Sequence, residues 1–427
     1  MSSLLPVEMR RLRQEVVDWR YKGFPDLGGG TLEEVPELGL DIFTGGFTLP
    51  IVMLKADELA GNIEWMSRLA KTSGALLAPH AKTTMSPQLV ERQLQAGAWA
   101  VTVANVSQAR IFLAFGASRM IIANEVVSAT DIAWIAETMS THPNVELFVL
   151  VDSVDAVRLL DSGLAPSLKP TVALPVLIEL GATGGRAGAR SLPQVLAIAE
   201  AVQSSSRLRL AGVEGFEGAV PGASRTEATP GISSLLREAK VAVHALSARG
   251  FLADEVIVTF GGSSYFDIVL DELSGQWLEG HLVSLVLRSG CYVTHDHGLY
   301  AANGPKSDGR LASGLQPAIE VWGSVLSCPE PGLAIAGFGR RDVSFDAGLP
   351  LPLRFMRSGG EFSAGDSRIV SINDQHVYVK LDSAITVFPG DVLVAGISHP
   401  CTTFDKWRLI PVVDSQYRVI DAIRTYF

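Results

Sequence analysis

From residue 48 to residue 280 one unit of pattern keeps returning. A short apolar, β-branched run is followed by a polar or glycine-containing break and then by apolar positions at helical spacing. The strand-like runs are LPIVML (49–54), ALLAP (75–79), WAVTVA (99–104), RMIIAN (119–124), VELFVLV (145–151), LPVLIEL (174–180), LRLAGVEG (208–215) and DEVIVTF (254–260). Their continuous apolar character predicts burial on both faces, as in a parallel sheet covered by helices. Between them, DELAGNIEWMSRLAKTSG sets Leu59, Ile63, Met66 and Leu69 on one face, and SPQLVERQLQAG opens on Ser86 as a cap with Pro87 in the first turn. Eight βα units predict an α/β fold with a closed (β/α)8 TIM barrel over residues 48–280. An open doubly wound sheet is the alternative, because periodicity does not encode closure.

Beyond residue 280 the period changes. HLVSLVLRSGCYVTHD, AIEVWGSVLSC, SRIVSINDQHVYVKLD and GDVLVAGISHP read as strands split by Gly/Pro turns, with no long amphipathic helix among them. Residues 281–427 are therefore expected to form a C-terminal, mainly β domain. Residues 1–47 hold one amphipathic stretch, VEMRRLRQEVVDWR, and a GGG link. The packing partner expected for this segment is the β domain.

Composition removes several classes of function. The 427 residues are 47% hydrophobic, enough for a large core and more than one domain. A net charge of -10, with no basic stripe, excludes nucleic acid as an expected partner. No run reaches the roughly 18 apolar residues of a membrane span. MSSLLPVEMRRLRQE has none of the features of a secretory signal. The three cysteines, Cys291, Cys328 and Cys401, are too few and too odd for a disulfide framework. A cytoplasmic protein with a small-molecule substrate, no nucleic acid and no membrane is expected.

Barrel chemistry gathers where strands end at the C-terminal face, so those positions carry the candidates. ALLAP runs into His80 and Lys82, and LPVLIEL runs into GATGGRAG with Arg186. DEVIVTF runs into GGSSYFD. There Gly261 and Gly262 permit close backbone approach, and Ser263, Ser264 and Tyr265 offer hydroxyls at a helix start, a geometry suited to phosphate. Each alone has an ordinary reading: a lysine after a strand is usually a solvated loop charge, and Gly-Gly-Ser is usually only a turn. Their convergence on one rim is the signal.

The segment PHAKTTMSPQLVERQLQAGAWAVTVANVSQA resembles the cofactor-lysine region of the alanine-racemase-like, fold-type III enzymes that use pyridoxal 5'-phosphate (PLP). The resemblance is to the branch of D-serine dehydratases, D-threonine aldolases and bacterial amino acid deaminases. It continues through IELGATGGRAG, AGVEGFEG, TFGGSSYFD, AGFGRRDVSFDAGLP, INDQHVYV and SHPC. It implies that Lys82 carries PLP as a Schiff base, that His80 is the family's histidine beside it, that Arg186 approaches the ring hydroxyl, and that Gly261, Gly262, Ser263, Ser264 and Tyr265 hold the phosphate. It further implies a homodimer. A partly desolvated barrel mouth would favour the neutral, reactive amine of Lys82. The sequence departs from the family at Glu214 and Phe216 in AGVEGFEG, which leaves the group facing the PLP ring nitrogen open.

In ISHPC, His399 and Cys401 lie two apart, as donors to one ion on an extended segment would; imidazole and thiolate suit Zn²⁺ or another divalent cation. H-x-C alone is a common coincidence. The resemblance assigns it to the family's metal pair, with Cys in the dehydratases and Asp in the aldolases. His295 and His297 in THDHG alternate onto one strand face and are taken as surface or supporting residues. The expected activity is PLP-dependent, metal-assisted dehydration of a β-hydroxy D-amino acid such as D-serine or D-threonine to a 2-oxo acid and ammonia. The alternatives are a D-threonine-type aldolase releasing glycine and an aldehyde, and a non-catalytic PLP-binding homeostasis protein.

Overall fold

The computed structural model describes residues 6–165, 168–169, 172–305, 314–357 and 360–427. The first five residues of the N-terminal segment lie outside that set. The chain divides into two compact units, one formed by Met66–Lys82 and Gln93–Gly290, the other by Met1–Trp65, Thr83–Arg92 and Cys291–Phe427. Among the described residues no helix is long and apolar enough to cross a membrane.

The first unit holds eight parallel strands, Leu76–Leu77, Val101–Val103, Arg119–Glu125, Glu146–Val151, Leu174–Leu180, Leu208–Gly215, Glu255–Phe260 and Leu282–Leu287. The ring closes through its shortest member. Leu76–Leu77 pairs with Leu282–Leu287 on one side. On the other, the amides of Trp99 and Thr102 donate to the carbonyls of Leu77 and Pro79 at 2.7 and 2.9 Å. Closure decides for the barrel and against the open sheet. Inside it Ala78, Ala100 and Ala211 lie among Phe148, Leu150, Leu177, Ile121, Ile257 and Val286, so small and large side chains interdigitate.

Two strand assignments need correction. LPIVML, expected as the first barrel strand, forms Ile51–Lys55 in the other unit, antiparallel to Ile319–Glu330 and parallel to Leu409–Val413. Its residues Ile51 to Leu54 are fully buried, and a central antiparallel strand covered on both faces is as apolar as a parallel one. The eighth barrel strand is Leu282–Leu287, taken from sequence as the start of the β domain. Its exposed Leu282 and half-buried Ser284 lend it the alternation of a one-faced strand.

The second unit is built on a ten-stranded sheet with the path Gly360–Ser363, Leu351–Arg357, Val392–Gly396, Ile319–Glu330, Ile51–Lys55, Leu409–Val413, Val419–Arg424. Its helices after residue 290 are short, Leu299–Asn303 and Cys401–Phe404. The helix Pro87–Gln95 forms as expected, but the Ser86 hydroxyl is buried without a partner and does not cap it.

One backbone irregularity shapes the barrel rim. The register between Leu174–Leu180 and Leu208–Gly215 shifts after Val176, which brings Gly212 beside Leu177 and leaves Glu179 beside Glu214. Gly212 adopts φ +149°, and a Cβ there would lie 1.8 Å from the Ile257 carbonyl oxygen, so only glycine fits. That bulge sets two carboxyl groups side by side on neighbouring strands.

Candidate functional site

On the barrel unit, the strand ends bring together the residues that the sequence singled out. His80 follows the first strand and forms an isolated parallel bridge with Thr102 of the neighbouring strand Val101–Val103. Its Nδ1 is buried without a hydrogen-bond partner. Burial, reinforced by the charges of Lys82 and Arg288, holds the imidazole well below its ordinary range, so it is neutral at pH 7. Lys82 follows in the single turn Ala81–Thr83, and its side chain is exposed rather than desolvated.

Arg186 projects from the loop after Leu174–Leu180. Its Nη2 lies 3.9 Å from Glu179 Oε1, and its guanidinium stands 5.3 Å from the centroid of the Phe216 ring. Arg190 shapes this loop by donating to the carbonyls of Ala187, Gly188 and Gly185 at 2.6, 2.9 and 3.3 Å.

The glycine turn is formed as expected. Gly261 has φ +90°, and a Cβ there would meet Leu287 at 2.6 Å. The Ser289 hydroxyl donates to the Gly261 carbonyl at 2.8 Å, and Arg225 donates to the Ser264 carbonyl at 2.6 Å while pairing with Asp267. Ser263 is buried, Ser264 and Tyr265 are half-buried, and the helix Phe266–Leu273 begins directly after them. The amides of Gly261 and Gly262 donate to the carboxyl of Glu217 at 3.1 and 2.6 Å. The turn therefore presents two convergent donors to an acidic group, the chemistry that a phosphate requires.

Two acidic residues and one arginine of this rim, Glu179, Glu217 and Arg288, are not singled out by the sequence, and they surround Glu214, which the sequence marks only as a departure from the family. Burial pushes Glu179 up to about 9, helped by its hydrogen bond to Glu125 and the charges of Glu214 and Glu125, against the pull of Arg186. Glu214 is raised by burial and opposed by Arg288, which donates to it and to the Gly215 carbonyl, the latter at 2.8 Å. Glu217 is raised by burial against the pull of the two glycine amides. Arg288 follows Leu282–Leu287, whose pattern does not mark it as a barrel strand, and Glu179 stands inside an apolar run, where a lone glutamate carries no signal of its own.

The second unit carries a separate constellation. Ligand atoms of Cys291, His399 and Cys401 all lie within 4.8 Å of one another. His399 and Cys401 do not share an extended segment as expected. Pro400 is helical at φ −67°, and Cys401 opens the short helix Cys401–Phe404, so a turn rather than strand alternation brings the two donors together. His399 Nδ1 is 2.7 Å from Asp346 Oδ2, and the Thr402 hydroxyl donates to the other oxygen of Asp346 at 2.7 Å. With Nδ1 so engaged, Nε2 is left for an ion, the usual carboxylate–histidine support of a metal ligand.

The Cys291 and Cys401 sulfurs are 3.3 Å apart, and Thr83 Oγ1 lies 3.5 and 3.4 Å from them. The Tyr300 ring packs edge-on against His399, with centroids 6.3 Å apart. Hydrogen bonding from Cys291 lowers Cys401 well below the usual thiol range despite burial, with His399 assisting. His399 rises to about 9 against the effect of burial, through Cys401 and Asp346. A thiolate, an imidazole and a second thiol suit a borderline-soft divalent cation.

His295 and His297 lie on no strand. Cys291–Val293 is a single 3-10 turn and His295 adopts φ 47°, which breaks the alternation expected of THDHG. His297 is drawn down to about 4, chiefly by burial.

Residues 54–263 match the family described as "Alanine racemase, N-terminal domain", and residues 318–413 match the "Putative serine dehydratase domain". A 3-hydroxy-D-aspartate aldolase of Paracoccus denitrificans (strain Pd 1222) is 26% identical over 362 residues, covering 84% of this chain and 87% of that protein. A D-threo-3-hydroxyaspartate dehydratase of Delftia sp. (strain HT23) is 28% identical over 250 residues, 58% of this chain and 61% of that protein. The crystal structure of D-threonine aldolase from Filomicrobium marinum shares the fold with a TM-score of 0.74 at 24% identity, over 91% of this chain and 97% of that one. With the barrel, the strand-end lysine and the second domain in place, the chain belongs to the alanine-racemase-like, fold-type III PLP enzymes, in the branch of the D-serine dehydratases and D-threonine aldolases.

Proposed function

We propose that this enzyme dehydrates a β-hydroxy D-amino acid, releasing a 2-oxo acid and ammonia with the help of a divalent cation. The observation that supports this reading best is the donor set Cys291, His399 and Cys401, which contains thiols where a carboxylate would accompany the aldolase pattern. Lys82 would hold PLP, Arg186 and His80 would flank it, and Gly261, Gly262, Ser263, Ser264 and Tyr265 would receive its phosphate once Glu217 yields the two amides. PLP supplies an electron sink that acidifies the substrate Cα–H bond.

Lys82 Nζ, once released, takes the Cα proton. Neutral His80 adds no further positive charge beside that amine. Cys291, His399 and Cys401 would hold a cation, and its chemistry there would be Lewis acidity toward a hydroxyl, which is otherwise a poor leaving group. Asp346 fixes the His399 ring for that task. A cysteine-to-alanine mutant of a D-threo-3-hydroxyaspartate dehydratase has been solved in a metal-free form, which fits a metal role in this branch.

The second reading is retro-aldol cleavage, favoured by the aldolases among the relatives. A non-catalytic PLP carrier would have no use for a supported donor set outside the barrel. The test is a product screen of the purified, PLP-loaded enzyme on D-serine, D-threonine, 3-hydroxy-D-aspartate and amino sugar acids. Ammonia with a 2-oxo acid is expected. Glycine with an aldehyde would replace this reading by the second.

A further inference from the structure

We infer that Cys291 is a third protein ligand of the cation, so that the site is a Cys2His centre with one coordination position open to a substrate oxygen. This inference rests on the metal reading above and sharpens it. The pair legible in sequence, His399 and Cys401, supplies one nitrogen and one sulfur, leaving half of a tetrahedral zinc shell to be filled from elsewhere. A catalytic zinc typically takes three protein donors and keeps the fourth position for water or substrate.

Cys291 meets that requirement in chemistry and in position. Its sulfur lies 3.3 Å from that of Cys401, and all three donor atoms fall within 4.8 Å of one another. Two sulfurs bound to one tetrahedral zinc at about 2.3 Å each stand about 3.8 Å apart. A few tenths of an ångström of movement would therefore admit the ion. The residue is also held in place: it is buried, it opens the 3-10 turn Cys291–Val293, and its carbonyl accepts from the His295 amide at 2.7 Å. Thr83 Oγ1 accepts from the Cys401 thiol at 3.4 Å and lies 3.5 Å from the Cys291 sulfur, so one hydroxyl engages both sulfurs. The remaining cysteine, Cys328, is exposed, hydrogen-bonds the Val387 carbonyl and takes no part in the cluster.

Two thiolates and one imidazole form a soft set, so the centre should take Zn²⁺ or Co²⁺ and discriminate against Mg²⁺ and Ca²⁺, which favour oxygen ligands. The open position would accept one oxygen, enough for a hydroxyl and too few for bidentate chelation without expansion of the shell.

The test uses the full-length, PLP-loaded protein, stripped by chelator and reloaded with one equivalent of Zn²⁺. Zinc-edge X-ray absorption should show two sulfurs at about 2.3 Å and one imidazole nitrogen at about 2.0–2.1 Å. Cys291→Ser should reduce the sulfur count to one and weaken Zn²⁺ affinity at least about 100-fold, beyond the 10–100-fold typical of losing an outer-sphere contact. Cys328→Ser should change neither. One sulfur in the wild-type spectrum would overturn the role of Cys291 while leaving the metal reading intact. Failure of the wild type to bind stoichiometric Zn²⁺ would overturn both. If Cys291→Ser does not fold, the wild-type spectrum alone decides.

Discussion

The barrel rim and the thiol cluster both bury ionisable groups, and they solve the resulting electrostatic problem differently. The rim gathers Glu125, Glu179, Glu214 and Glu217 and offsets them in part with Arg186 and Arg288; burial raises the carboxyls of Glu214 and Glu217, and that of Glu179 to about 9. The cluster instead redistributes charge between neighbours. Cys401 is lowered, chiefly through Cys291 and then His399, and His399 is raised to about 9 through Cys401 and Asp346 against the effect of burial. The first arrangement keeps backbone amides and cationic side chains where an anionic cofactor would lie; the second keeps soft electron pairs for a cation. Burial alone does not specify a ligand, whereas the hardness and sign of the grouped donors do.

The largest effect should come from removing the Lys82 amine of the rim. Lys82→Ala is expected to abolish turnover and the covalent cofactor together. Borohydride reduction followed by peptide mapping of the wild type should place the pyridoxyl group on the PHAKT peptide, and a label on Lys55 or Lys240 would sink the assignment.

Next in size, the two regions should separate functionally. Chelation or His399→Ala should eliminate ammonia release from D-serine while the absorbance of bound cofactor persists, and added Zn²⁺ should rescue only the chelated wild type. Full turnover of metal-free enzyme would remove the contrast between the regions.

The rim's internal balance offers a third test. Arg288→Met removes the guanidinium that is paired with buried Glu214, and breaking such a pair costs about 3–5 kcal/mol. Denaturant unfolding of the cofactor-free protein should show that loss; an unchanged midpoint would mean that Glu214 is already neutral and indifferent to Arg288.

A smaller effect is expected at the turn. A Cβ at Gly262 would lie 2.9 Å from Phe216 and 3.2 Å from the Glu217 carboxyl, so Gly262→Val should weaken PLP retention about tenfold or more with a lesser change in unfolding cooperativity. Equal losses in both would reduce Gly262 to a structural turn.

The mildest test is of pH. Glu179 is raised to about 9 in the folded protein from 4.5, so the unfolded chain ionises first. Between those values the native state binds more protons, and stability falls as pH rises. Glu179→Gln should flatten that decline and stabilise the cofactor-free protein at pH 8 by at least about 1 kcal/mol. An unaltered slope would show that Glu179 is ionised in the fold.

The sequence by itself carried the strand–helix rhythm, the location of His80 and Lys82 at a strand end, the Gly261–Tyr265 turn ahead of a helix, and the H-x-C pair, because each is local in the chain. Six of the seven runs after LPIVML needed no more than their own apolar content to be recognised as barrel strands, and ALLAP contributed its central residues as the seventh. Tertiary structure alone decided which sheet received Ile51–Lys55 and which received Leu282–Leu287, since burial on both faces looks the same from either sheet. It alone set Glu179 beside Glu214, through a register shift at Gly212 that no propensity predicts. It also joined Cys291 to Cys401 across 110 positions of chain. Periodicity reports how a segment meets water; which distant segment it meets is fixed by packing, and the chemistry of both sites depends on that second kind of contact.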